Sequence, residues 1–222
     1  MNPSTLPERA YAVFLFDMDG TLLTSIRSAE RVWSAWAKRH GLDVTTFLPT
    51  LHGKRAHDTI RQLNVPGLDP IAEAAWITAA EIEDVADIEA INGAADFLAS
   101  LPPARWGIVT SAPRKLAEAR LAAAGLPSHR LLVASEDVEH GKPAPDPFLL
   151  GARLLGAAPA DCLVFEDTLA GLQSAGAAGM DSIVVTLTHA HPMTTTVPAV
   201  LDYADLQAHA GPDGLRVLRK PA

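Results

Sequence analysis

The segment "FLFDMDGTLL", residues 14 to 23, decides the fold prediction for this chain. It joins a continuous apolar run to two aspartates, Asp17 and Asp19, which are followed by Gly20 and Thr21. An apolar run without alternation is typical of a strand that is covered on both faces, as in a parallel sheet. Open parallel sheets bind ligands at the carboxyl ends of their strands, so the two carboxylates lie where chemistry is expected.

The rest of the chain repeats this kind of strand at intervals. After "YAVFLF" at 11–16, the short apolar runs are "RWGIVT" at 105–110, "LLVAS" at 131–135, "CLVFE" at 162–166 and "SIVVT" at 182–186. Helical patterns separate the last four runs, namely "RKLAEARLAAAG", "DPFLLGARLLG" and "TLAGLQSAGAAG". Alternating strands and helices predict an α/β fold with a doubly wound parallel sheet.

The stretch from about residue 25 to residue 100 interrupts this alternation, because it contains helical patterns and no convincing strand. In "SAERVWSAWAKRHG" apolar residues recur at helical spacing, and we expect Trp33 and Trp36 to pack between helices. We therefore predict an all-helical subdomain of residues 25–91, inserted into an α/β core of residues 1–24 and 92–222. The C-terminal part predicts a weak strand near "AVLDY", a short helix and a basic end.

Composition limits the partners that the chain can bind. It has 18 Lys and Arg against 26 Asp and Glu, a formal net charge of -8, which argues against a nucleic-acid backbone or an anionic membrane surface. The single cysteine, Cys162, lies in an apolar run, so we expect a buried side chain and no disulfide within the chain. The N-terminal apolar stretch is too short for a secretory signal or a membrane span, and we expect a cytoplasmic protein.

Polar residues follow four of the apolar runs, and these positions meet at one edge of a parallel sheet. In chain order they are Asp17 with Asp19, Thr110 with Ser111, Lys142, and Glu166 with Asp167. At an effective dielectric constant of about 20, two like charges 4 Å apart repel each other by about 4 kcal/mol. Carboxylates gathered around one lysine therefore predict a bound divalent cation. Oxygen ligands without His or Cys favour Mg²⁺.

The same cluster is suited to a phosphate group. Lys142 supplies a positive charge, while hydrogen bonds to phosphate oxygens are expected from Thr110, the Ser111 amide and the loop amides of Met18 to Gly20. The cluster thus predicts phosphoryl transfer at this edge of the sheet.

Taken singly, these residues have ordinary interpretations. Asp19 before Gly20 is a common turn former, Asp167 is a possible helix N-cap, and a lone Lys142 is usually a solvated charge. Their joint placement with Asp17 at the ends of neighbouring strands favours the functional interpretation.

Four short segments carry a family resemblance. "DMDGTL", "VTS", "GKPAPD" and "FEDT", in this order between residues 14 and 186, resemble the four motifs of the haloacid dehalogenase (HAD) superfamily, in its phosphatase branch. The resemblance implies a Rossmann-like core and catalysis through an aspartyl-phosphate.

By this resemblance, Asp17 is the nucleophile that attacks phosphorus, and Asp19 protonates the leaving alcohol and then deprotonates the hydrolytic water. Mg²⁺ is bound by the Asp17 carboxylate, the Asp19 carbonyl and Asp167, with Glu166 acting through water. Lys142 neutralises the nucleophile and the phosphate.

The resemblance also implies that the helical insert is a cap that closes over the site and selects the leaving group. Its most polar stretch, "LHGKRAHDTI", resembles the cap pattern of phosphatases that act on small phosphorylated sugars and polyols. On this basis His52, Lys54, Arg55 and Asp58 are predicted to bind substrate, and Gly53 lets the backbone approach it. A solvated helix start is the alternative interpretation.

The predicted function is Mg²⁺-dependent hydrolysis of a phosphomonoester, a small sugar or polyol phosphate, by a monomer or weak homo-oligomer. The alternative is a phosphosugar mutase of the β-phosphoglucomutase type, which shares the core motifs and the cap. A distant alternative is a non-enzymatic phospho-acceptor domain. His189 and His191 in "THAHP" have no third ligand beside them, so they predict a loop and not a metal site.

Overall fold

The computed structural model describes residues 5–48, 53–127 and 131–221, which fold into ten strands and eight α-helices. The strands are β1 (Val13–Phe16), β2 (Leu23–Thr24), β3 (Glu89–Ala90), β4 (Trp106–Val109), β5 (Leu132–Val133), β6 (Cys162–Glu166), β7 (Asp181–Val185), β8 (Ala199–Val200), β9 (Leu206–Gly211) and β10 (Gly214–Arg219). The helices are α1 (Ile26–Arg39), α2 (Val44–Phe47), α3 (Ala56–Leu63), α4 (Pro70–Glu83), α5 (Ala94–Ala99), α6 (Arg114–Ala123), α7 (Asp146–Leu154) and α8 (Leu169–Ala177).

Six strands form a central sheet in the order β5-β4-β1-β6-β7-β8, and every neighbouring pair in it is parallel. Along β1, Phe14 and Phe16 belong to one buried cluster, and Val13 and Leu15 belong to a second. Successive side chains of a strand point to opposite faces, so a continuous apolar strand needs a core on each side. Both faces are covered, which confirms the predicted α/β, doubly wound sheet.

The first cluster is rich in aromatic rings. Phe16 of β1 and Phe165 of β6 stack with ring centroids 4.7 Å apart, and Phe97 and Tyr203 pack around them. Full burial of one such side chain contributes about 1.5–3 kcal/mol. The second cluster contains Cys162, whose predicted burial is confirmed.

Helices α1 to α4 form a layer with a core of its own. Its buried members are Val32, Trp33, Trp36, Ala37, Phe47, Ile60 and Ile77. The rings of Trp33 and Trp36 meet edge to face at 5.6 Å, which confirms that this pair packs between helices. The proposed boundaries of this layer, residues 25 and 91, stay a prediction.

A pair of very short strands flanks these helices. β2 and β3 are antiparallel, with Leu23 opposite Ala90 and Thr24 opposite Glu89. The expectation of no strand between residues 25 and 100 is therefore wrong at β3. Two residues are too few to produce a recognisable period in the sequence.

The C-terminal segment is an antiparallel hairpin of β9 and β10, so the short helix predicted there is wrong. Buried Leu215 and Val217 alternate with more exposed neighbours, which is the period of a strand. Gly214 ends the turn with a φ of 131°, a conformation that glycine adopts readily. The weak strand predicted near "AVLDY" is present as β8. None of the helices in the described ranges is long and apolar enough to cross a membrane.

Candidate active site

Lys142 lies at the centre of the site, where the carboxyl ends of β1, β4 and β6 meet. Its Nζ donates hydrogen bonds to Asp17 Oδ1 at 2.5 Å, to Glu166 Oε1 at 2.8 Å and to the Val109 carbonyl at 3.1 Å. The lysine side chain has 0% exposure, and a buried ammonium group requires such partners. The strand ends therefore bring Asp17, Lys142 and Glu166 together.

Three buried carboxylates surround this lysine. Asp17, Glu166 and Asp167 each offer an oxygen, and these oxygens lie within 4.8 Å of one another. Burial raises the pKa of Asp17 to about 8 against the opposing effect of Lys142. The pKa of Asp167 is also raised well above its usual value. Burial is the largest cause, and the nearby carboxylates of Glu166 and Asp17 add to it. With one lysine among three carboxylates, a divalent cation would compensate the remaining negative charge, and an all-oxygen set of ligands suits such an ion.

Glu166 joins this cluster to helix α8. Its Oε2 accepts hydrogen bonds from the Asp167 amide at 2.7 Å, the Thr168 amide at 2.6 Å and the Thr168 hydroxyl at 2.9 Å. A Cβ at Gly171 would lie 1.6 Å from Glu166 Oε1, so a side chain there would displace the carboxylate. Both oxygens of Glu166 have protein partners, an arrangement compatible with the indirect role predicted for it. The N-cap of α8 is Thr168, so the interpretation of Asp167 as that cap is wrong.

The loop after β1 packs closely against Asp167. Thr21 Oγ1 donates to Asp167 Oδ1 at 3.2 Å, and a Cβ at Gly20 would lie 2.1 Å from Asp167 Oδ2. Gly20 also has a φ of 87°, a backbone conformation that is strained for residues with a side chain. Its amide donates to the Leu23 carbonyl at 2.7 Å, and phosphate binding by the amides of Met18 to Gly20 stays a prediction.

A cavity of about 110 Å³ lies between the strand ends and the helical layer. The predicted site residues that line it are Asp17, Asp19, Lys54, Thr110, Ser111 and Asp167. Thr110 is fixed by its Oγ1, which accepts from the Ala112 amide at 3.0 Å. The Ser111 hydroxyl donates to the Gly53 carbonyl at 3.0 Å and so joins the end of β4 to the loop before α3. These residues can enclose a small phosphorylated molecule.

Arg55 and Asp58 are not among the residues that line this cavity, and their contact with substrate stays a prediction. Arg55 Nε donates to Asp58 Oδ2 at 2.6 Å, and its Nη1 donates to the Val138 carbonyl at 3.2 Å. Gly141 allows this approach, because a Cβ there would lie 2.6 Å from Arg55 Nε. Arg55 therefore joins the helical layer to the sheet domain. His52 lies outside the described residues.

The residues that hold Asp19 are not among those predicted from the sequence. Asp19 Oδ1 accepts from the Ser25 hydroxyl at 2.6 Å and from Arg120 Nη1 at 2.8 Å. Arg120 Nη2 lies 3.3 Å from Glu81 Oε1. A signal was present, since Arg120 lies four residues after Leu116 on the apolar face of a predicted helix, where a charge is unexpected.

Comparisons with known proteins show the family of this chain. The model of the haloacid dehalogenase-like hydrolase family matches residues 11–179. Hexitol phosphatase A of Escherichia coli (strain K12) is 42% identical over 192 residues, 85% of this chain and 89% of that protein. Fructose-1-phosphate phosphatase YqaB of the same strain is 36% identical over 187 residues, 80% of this chain and 97% of that protein.

Among solved structures, β-phosphoglucomutase from Clostridium difficile matches with a TM-score of 0.74 and 20% identity, over 87% of this chain and 92% of that one. A likeness at this identity shows the fold alone. The chain belongs to the haloacid dehalogenase-like hydrolase family. The predicted family, fold class and phosphatase type of enzyme are confirmed.

Proposed function

We propose that this phosphatase hydrolyses a small phosphorylated sugar or polyol through an aspartyl-phosphate on Asp17. The observation that carries the proposal is the convergence of Asp17, Lys142 and Asp167 beside one small cavity, although they are far apart in the chain. Relatives named for hexitol and fructose 1-phosphate support this substrate class. The cavity volume of about 110 Å³ also favours a small leaving group.

Asp17 is the nucleophile in this proposal. Lys142 holds its Oδ1 and so fixes the orientation of the carboxylate at the floor of the cavity. In the first half-reaction a carboxylate oxygen bonds to phosphorus while the bond from phosphorus to the leaving oxygen breaks. Thr110 and Ser111, at the end of β4, stabilise the phosphate oxygens by hydrogen bonds.

Asp19 is the acid and base in this proposal. It lines the same cavity two residues beyond the nucleophile. It donates a proton to the leaving alcohol as the ester bond breaks, and later accepts a proton from the water that attacks the aspartyl-phosphate. Inorganic phosphate then leaves, and Asp17 returns to its free form.

The donor set fits Mg²⁺. The Asp17 and Asp167 carboxylates and the Asp19 carbonyl would hold the ion, and Glu166 would act through water. When bound, Mg²⁺ neutralises charge that the buried carboxylates and the phosphate bring together.

The chain divides into a cap and a catalytic core in this proposal. Residues 25–91 form the cap, and residues 1–24 with 92–222 form the catalytic core. Lys54, which lines the cavity, is the cap residue best placed to contact substrate. The enzyme acts in the cytoplasm on a free metabolite, as a monomer or weak homo-oligomer.

The test is a panel of sugar, polyol and nucleotide phosphates incubated with the purified protein and Mg²⁺. We expect release of inorganic phosphate, fastest from fructose 1-phosphate and hexitol phosphates, without any bisphosphate activator. Interconversion of hexose phosphates without phosphate release would favour the mutase. No turnover of any compound would contradict the proposed function.

A further inference from the structure

Arg120 is a buried cation next to the acid and base of the proposed reaction. It lies in α6 of the sheet domain, 5% exposed, and its Nη1 donates to Asp19 Oδ1 at 2.8 Å. On its other side, Nη2 lies 3.3 Å from Oε1 of Glu81, which is 6% exposed and belongs to α4 of the helical layer. The guanidinium group therefore connects the two layers that enclose the cavity.

This arrangement is costly for folding. Arg120 Nε and Nη2 are buried and have no hydrogen-bond partner of good geometry among the described residues. Burial also raises the pKa of Glu81 to about 7, although the nearby Arg120 opposes this shift. Apolar residues at such positions often give an equal or greater stability. Stability therefore does not explain why Arg120 and Glu81 are buried together. This suggests that the pair serves the active site.

The geometry of Asp19 indicates that role. Its Oδ1 already accepts two hydrogen bonds, from Ser25 at 2.6 Å and from Arg120 at 2.8 Å. Two donors on one oxygen fix the rotation of the carboxylate. Oδ2 is then the oxygen that would exchange a proton with the leaving group.

We propose that Arg120 is a positioning residue for Asp19 and that Glu81 holds Arg120 in place from the helical layer. Proton transfer to the leaving alcohol then depends on α4 being packed against α6. The inference rests on the proposed function, because it assigns a partner to its acid and base. Ser25 supplies the second contact, and Asp19 itself donates the proton.

A comparison of leaving groups tests this role. An alkoxide leaving group requires a proton, whereas acetate leaves readily without one. We therefore expect Arg120→Met to lower kcat/KM for fructose 1-phosphate by about 100-fold, the lower range for general acid catalysis. Acetyl phosphate also requires Asp17 and the groups that bind phosphate, but its leaving group needs no proton. For this substrate we expect kcat/KM to fall by less than about threefold.

Conservative variants and controls separate positioning from damage to the fold. Arg120→Lys should retain more of the kcat/KM for fructose 1-phosphate than Arg120→Met does. Glu81→Gln should also lower kcat/KM mainly for fructose 1-phosphate, but by a smaller factor. Lys115→Met and Glu83→Gln, exposed positions on the same two helices, should leave both rates unchanged. If Arg120→Met does not fold, Arg120→Lys and Glu81→Gln test the role instead. The quantity compared is the loss of kcat/KM for fructose 1-phosphate relative to the loss for acetyl phosphate.

The outcomes are distinct for the two proposals. If the wild-type protein hydrolyses neither compound, the proposed function fails. If it hydrolyses both, and kcat/KM of the folded Arg120 and Glu81 variants falls equally for the two compounds or falls for neither, the positioning role is overturned.

Discussion

The edge of the sheet and the start of α3 both carry charged residues, but the structure uses them differently. At the sheet edge, Lys142 and Asp17 meet in the interior with Nζ and Oδ1 2.5 Å apart. At the start of α3, Arg55 pairs with Asp58 and donates a hydrogen bond to the Val138 carbonyl, away from the cavity. Parallel strands fix where their ends lie, whereas a loop leaves the direction of its side chains open.

The largest effect that this comparison predicts is at the nucleophile. Asp17→Asn keeps the shape of the side chain but removes its nucleophilic charge, so phosphate release should fall by at least about 10⁴-fold. Thermal unfolding should show an intact fold. Asp213→Asn, in the exposed turn between β9 and β10, is the matched control. Near-normal turnover of Asp17→Asn would show that another group attacks phosphorus.

The next effect concerns the stability of the sheet edge. Lys142→Met leaves Asp17 and Glu166 buried without their cation, so the free energy of unfolding should fall by about 3–5 kcal/mol at pH 8 without Mg²⁺. Denaturant titration measures the change. Arg55→Met, which removes a cation from the start of α3, serves as the comparison and should cost less. Equal costs would remove the distinction between the two regions.

The third prediction concerns pH and Mg²⁺. Burial raises the pKa of Asp17 to about 8, so below this pH the native protein without metal holds a proton that the unfolded chain releases. Its stability should fall as the pH rises from the usual range of aspartate towards 8. Mg²⁺ must displace the proton, so its affinity should increase about tenfold per pH unit for one displaced proton.

Isothermal titration calorimetry at pH 6 and pH 8, in two buffers of different ionisation enthalpy, measures both the affinity and the number of protons released. The Asp17→Asn variant is the control, and its weaker binding should depend less on pH. Equal Mg²⁺ affinity of the wild type at the two pH values would contradict the proposed site.

The smallest effect is expected at the start of α3. Arg55→Ala removes the contacts to Asp58 and Val138 but no group that lines the cavity. KM should therefore rise only about two- to fivefold, which corresponds to the free energy of a partly exposed ion pair. The ratio of kcat/KM between fructose 1-phosphate and glycerol 1-phosphate should stay constant. Arg61→Ala, an exposed partner of Asp58, is the control. A large change in preference would place Arg55 in the substrate site.

The sequence predicted most of what depends on strand order. Asp17, Thr110, Lys142 and Asp167 follow apolar runs, and a parallel sheet brings such positions together whatever the loops do. The hairpin of β9 and β10 was missed because its alternation is short and its outer residues are mixed in polarity.

Contacts between layers were harder to predict. Arg120 and Glu81 lie in helices of different layers, and they meet only because α4 packs against α6. Helical periodicity places each residue on a face, but it does not say which faces will meet. The inward position of Arg55 likewise depends on the missing side chain of Gly141, far away in the sequence.

The two-residue pair of β2 and β3 has a mechanical consequence. The chain enters and leaves the helical layer at adjacent points, Leu23 opposite Ala90 and Thr24 opposite Glu89. A swivel of this layer about the pair would keep both pairings intact. Asp19 and Ser25 lie on either side of β2, so the acid and base of the proposed reaction lies next to the pivot and would travel little during such a swing.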